Sequence, residues 1–108
     1  MPIYNKLVRD RIPEVIESTG KACRTRILNE KEYHAELVVK LREESEEYFA
    51  ANIAQDSLEE LADMLEVIRA LAIVHGASWE QLEATREEKV AARGGFRDRV
   101  YLIDVRDA

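Results

Sequence analysis

The sequence predicts an all-α fold: one domain over residues 1–108, a helical bundle built around a long antiparallel helix hairpin, with room for a small two-stranded β ribbon beside it. Three observations carry that expectation. Between Asn29 and Gly76 the apolar residues recur at three- and four-residue steps in two long runs, separated only by the short NIAQDS segment. That is the period of a helix presenting one face to a core. The few glycines and prolines fall where such helices would begin or end. No repeat, low-complexity tract or linker divides the chain, whose 108 residues suit one modest core or a core completed between subunits.

A short first helix is expected to begin near Pro13, a residue tolerated in a first turn, and to stop before Gly20. After it, ACRTRIL alternates side-chain type with period two and favours a strand. Asn29 followed three residues later by Glu32 has the spacing of a capping box, and the apolar pattern behind it runs to about Ala51. Asp56 and Glu59 repeat that start signal for a third helix, which carries Leu58, Leu61, Leu65, Ile68 and Ala72 and should end near His75 and Gly76. Ser78 and Gln81 open a fourth, closed by Gly94 and Gly95. The tail RVYLIDV favours strand, and pairing it with CRTRIL would make the ribbon. Apolar residues spread around most of the third helix, from Leu58 to Val74, which is more than one neighbour can cover. A homodimer or larger homo-oligomer is therefore expected.

Composition excludes several functions. A formal net charge of -6 opposes general binding to nucleic acid or an anionic membrane surface. No apolar run is long enough to span a bilayer, and MPIYNKLVRD lacks the pattern of a signal peptide. Cys23 is the only cysteine, so neither an intrachain disulfide nor a thiolate metal cluster can form. These features suit a reducing cytoplasm. There is no GxxxxGK[ST] loop, and no Ser-His-Asp arrangement stands out. His34 and His75 are far apart in sequence, and Trp79 sits just inside a helix start, where packing is its ordinary role.

The acids are harder to place. At about 100° per residue, the second helix puts Tyr33, Leu37, Leu41 and Tyr48 along one side, with Glu44 inside that stripe and Glu47 at its border. Glu43 and Glu46 turn toward solvent. On the third helix Glu60 shares a side with Met64, Val67 and Leu71, and Asp63 stands one turn along, whereas Glu59 and Glu66 point outward. A single helical glutamate is ordinarily solvated surface. Two i, i+3 acid pairs on consecutive helices, each on or beside an apolar stripe, are different. If the helices pair, Glu44, Glu47, Glu60 and Asp63 face one another, and such a group must be protonated, paired with bases or bound to a cation. Carboxylate-only ligands suit hard ions, Mg²⁺ or Mn²⁺.

The pattern EExxE followed by ExxD, here Glu43, Glu44 and Glu47 with Glu60 and Asp63, resembles the signature of the MazG-like all-α nucleoside triphosphate pyrophosphohydrolase superfamily. YNKLVRDRIPEVIE and KVAARGGF resemble its house-cleaning branch, related to phosphoribosyl-ATP pyrophosphohydrolase. The resemblance implies Mg²⁺ held by Glu44, Glu47, Glu60 and Asp63, and a nucleotide substrate from which pyrophosphate is released. It also implies phosphate contacts from Lys89 and Arg93, which precede the GGF turn, and makes Lys6 and Arg9 further candidates for phosphate or partner-subunit contact.

The expected reaction is hydrolysis between the α and β phosphates. Lys89 and Arg93 would offset charge on the leaving pyrophosphate, and Glu47 would orient or deprotonate the attacking water. Two alternatives stand beside it. One is a non-catalytic helical module that assembles with itself or a partner. The other keeps the chemistry and takes phosphoribosyl-ATP.

Overall fold

The computed structural model of the chain describes residues 2–107, and four helices make up the regular structure among them. They are α1 (Ile12–Glu17), α2 (Glu30–Ala50), α3 (Ala54–Val74) and α4 (Trp79–Arg93). Two of the four starts are local chemistry. Asn29 Oδ1 accepts from the Glu32 backbone N–H at 2.9 Å while the Glu32 carboxylate accepts from the Asn29 N–H at 3.3 Å. Ser78 and Gln81 repeat the box at the head of α4, at 3.1 and 2.8 Å. Each box replaces backbone partners that a helix start lacks.

The start of α3 differs from its sequence signal. Its N-cap is Ile53, with no side-chain cap, and Asp56 lies inside the first turn instead of before it. An acid there still complements the positive end of the helix. At the other end, Gly76 adopts φ 79°, its N–H donates to Ile73 O, and the Ala77 N–H donates to Ala72 O, both at 2.9 Å. This Schellman arrangement needs a left-handed residue at Gly76.

Helices α2 and α3 pack together along their length. Contacts run in opposite order along the two: the His34 and His75 rings meet edge to face at 5.3 Å, while Glu44, later in α2, meets Glu60, early in α3. The buried residues among those described all lie on this pair: Leu37 and Glu44 on α2, Val67 and Ala72 on α3. Helix α4 packs only on α3, where Trp79 and Leu82 meet Leu65 and Ile68. The Arg69 guanidinium lies 5.8 Å from the Trp79 ring centroid.

No strand forms among the described residues, so the ribbon expected from CRTRIL and RVYLIDV is absent there. Ile27 is 96% exposed and Tyr101 88%. A two-stranded ribbon is marginal without a face to pack on, and no helix provides one. The chain as a whole is extended. Its radius of gyration is 18.8 Å, against about 13 Å for a compact domain of this length. Its accessible surface is 10175 Å², about 4,000 Å² above the value usual for a monomer of this mass. Leu58, Leu61 and Leu65 on α3 remain substantially exposed. No helix is long and apolar enough to cross a membrane.

Candidate metal centre

Glu44 follows Tyr33, Leu37 and Lys40 along one face of α2, so the helical period that buries Leu37 also carries Glu44 against α3. It retains 8% of its accessible surface, the only charged residue buried to that degree among those described. Glu47 is one turn on, at the exposed edge, and Glu60 approaches half-buried from α3. One carboxylate oxygen from each of Glu44, Glu47 and Glu60 lies within 4.8 Å of the other two.

Three acids this close oppose one another's ionisation. Burial holds the Glu44 carboxyl above the ordinary carboxylate range; the adjoining Glu60 carboxyl, which can share a proton with it, opposes this, the Glu47 and Asp63 charges add to it, and Lys40 opposes it. Glu60 is pushed up to about 7, first by loss of solvent and then by the adjoining Glu47 and Glu44 carboxyls. Glu44 Oε2 and Glu60 Oε2 are both buried with no hydrogen-bond partner. Buried polar atoms are ordinarily satisfied, so two orphaned acceptors in one acidic cluster point to a missing proton or cation. The donor set is all carboxylate oxygen, which fits a hard divalent ion.

Asp63, one turn beyond Glu60, is outside that triad. Its Oδ1 accepts from Arg9 Nη2 at 2.7 Å, across 54 residues of sequence. The N-terminal segment that brings Arg9 there forms one wall of a cleft of about 480 Å³, with Lys40, Glu44, Asp63, Glu66 and Val67 among its other lining residues. The remaining candidate cations are elsewhere. Lys6 Nζ sits 5.9 Å from the Tyr4 ring centroid and does not line the cleft. Lys89 and Arg93 are exposed on α4 and line neither this cleft nor the apolar one between α3 and α4. Arg86, on the same helix, is paired with Glu83.

Outward-facing Glu46, Glu59 and Glu66 are exposed, as their helical angles predict, whereas Glu43, also expected outward, is half-buried. Lys40, a nearby base for which the sequence motif implies no role at the site, also lines the cleft. The sequence carries a signal of this, because Lys40 interrupts the stripe that runs from Tyr33 through Leu37 to Glu44.

No protein-family model matches the sequence, and no solved structure matches the chain. An uncharacterized protein of Mycolicibacterium smegmatis is 46% identical over 54 residues, a stretch covering 50% of this chain and 55% of that protein. The match thus spans about half the length of the relative.

Proposed function

We propose that this chain hydrolyses a nucleoside triphosphate to a monophosphate and pyrophosphate in a divalent-metal-dependent reaction, as the MazG-like resemblance implies, and that it acts in the cytoplasm. The observation that carries the reading is that two carboxylate oxygens, Glu44 Oε2 and Glu60 Oε2, are buried without a hydrogen-bond partner where α2 and α3 meet. In this reading the two helices form the antiparallel hairpin that holds the site. Glu44, Glu47 and Glu60 would hold Mg²⁺, or Mn²⁺, with Asp63, which is outside the triad and paired with Arg9 in the metal-free chain, as the fourth ligand the resemblance implies. The bound ion would supply Lewis acidity toward phosphoryl oxygens and acidify a water molecule.

The chain's own groups do the rest. Glu47, the most solvent-accessible of the triad, orients the attacking water and accepts its proton. Arg9 and Arg11, which line the cleft, offset phosphate charge as it shifts toward the leaving pyrophosphate. Lys89 and Arg93 are outside the cleft of their own chain, so the contact implied for them is made by α4 of a second copy. A homodimer or larger homo-oligomer would also cover Leu58, Leu61 and Leu65 and draw on the excess surface.

That same excess favours a second reading, in which the helices serve assembly alone. A nucleotide panel that includes modified nucleotides and phosphoribosyl-ATP, assayed for pyrophosphate release with Mg²⁺, separates the two. Release from at least one nucleotide is expected. Folded protein that releases none, and whose melting temperature does not move with millimolar Mn²⁺, is an assembly module.

A further inference from the structure

We infer that Lys40 is a phosphate-contact residue of this site, held on Glu44 in the metal-free protein and freed toward the substrate's polyphosphate when a divalent cation takes Glu44. The inference rests on the reading of the site as a metal-dependent one. Three observations carry it. First, Lys40 occupies a core-facing position of α2, one turn before Glu44, with its side chain only 21% exposed. A leucine there would bury apolar surface without the cost of confining an ammonium.

Second, its partner is held loosely. Lys40 Nζ is 3.7 Å from Glu44 Oε1, beyond ordinary hydrogen-bond length, and Nζ is not among the buried unsatisfied atoms. The ammonium therefore keeps solvent contact at the cleft wall, on a flexible four-carbon stem that can turn without moving the helix.

Third, the charge balance of the cleft changes sign with a divalent ion. Arg9, Arg11 and Lys40 line it against Asp10, Glu44, Asp63 and Glu66. Three bases against four acids attract a cation, and the same set plus a divalent ion attracts an anion. A cation bound at Glu44 also repels Lys40 from it. Lys40 and the metal thus compete for Glu44, and afterwards act together on phosphate oxygens.

The two halves of this argument predict opposite signs, which no purely structural role would produce. Lys40→Met keeps the apolar stem and removes the charge. Titrated with Mn²⁺ alone and followed by electron paramagnetic resonance, it should bind the ion about 3- to 10-fold more tightly than wild type, because a competing cation is gone. Titrated with inorganic pyrophosphate in Mg²⁺ by calorimetry, it should bind about 10-fold more weakly, for loss of a charge-assisted contact. Lys40→Arg should return both values to within about 3-fold of wild type. Unchanged or weaker Mn²⁺ binding by folded Lys40→Met, or unchanged pyrophosphate binding, overturns the inference while wild-type Mn²⁺ binding leaves the metal reading standing. Wild-type protein that binds no Mn²⁺ overturns both. Should Lys40→Met fail to fold by circular dichroism, Lys40→Gln in the same two titrations decides.

Discussion

Helices α2 and α4 begin with the same device, a reciprocal capping box, and both have an apolar side, yet they end in different surroundings. Helix α2 lies along α3, and that pair holds all the buried residues among those described; α4 has none. Capping determines where a helix starts, and only an opposing apolar face determines whether it enters a core. The comparison also explains where the acids matter. The packing that excludes water from Leu37 and Val67 excludes it from Glu44, so the electrostatic stress of the site and the stability of the fold arise on one interface. The cations of α4 remain in solvent.

The largest expected effect is on chemistry. Glu44→Gln and Glu60→Gln should each lower pyrophosphate release about 10³-fold or more, the scale of losing a group that stabilises transition-state charge. Melting of the metal-free proteins should be unchanged or raised, since one of several crowded carboxylates is gone. A small activity loss in both would remove these residues from the site.

Packing gives the next largest effect. Leu37, 4% exposed between α2 and α3, should cost about 2–4 kcal/mol when changed to alanine, measured by urea unfolding. Val90 on α4, 43% exposed within one chain, should cost under about 1 kcal/mol at dilutions where the chain is monomeric. Equal costs at higher protein concentration would mean that α4 is covered in solution, which is the outcome a second copy predicts.

Stability should also respond to pH through the buried acids. Glu60 is pushed up to about 7 from an ordinary 4.5, so between those values the folded chain holds a proton that the unfolded chain has lost. Its contribution to metal-free stability must therefore fall as pH rises through that window and stay low above it. Glu32 and Glu83, whose arginine partners lower their pKa values, act in the opposite direction and at lower pH. The difference between wild type and Glu60→Gln isolates the site. In chelator, melting temperature should decline more from pH 5 to pH 8 in wild type, and saturating Mn²⁺ should reduce that gap.

The smallest effects belong to the outward acids. Glu46→Gln and Glu59→Gln should leave activity near wild type and alter stability by no more than about 0.5 kcal/mol. If these behaved like Glu44→Gln in the same assay, position on the helix would carry no meaning.

Residue order is enough for whatever depends on neighbours three or four positions away. It set four helices with two capping boxes, glycine exits at Gly76 and Gly94, and the inward turn of Glu44 and Glu60 as against Glu46 and Glu59. Such features follow from the helical period and from hydrogen bonds within one turn, so the order of residues suffices. Tertiary structure alone decided the rest. Arg9 reaches Asp63 across 54 positions, His34 meets His75, α3 starts at Ala54 ahead of its acid signal, and β-favouring CRTRIL and RVYLIDV stay unpaired for want of a surface. It also separated the fourth acid from the triad and left Lys89 and Arg93 outside the cleft. Local pattern says which face a side chain occupies; which distant face it meets depends on how whole helices pack, and that carries no fixed spacing in the sequence.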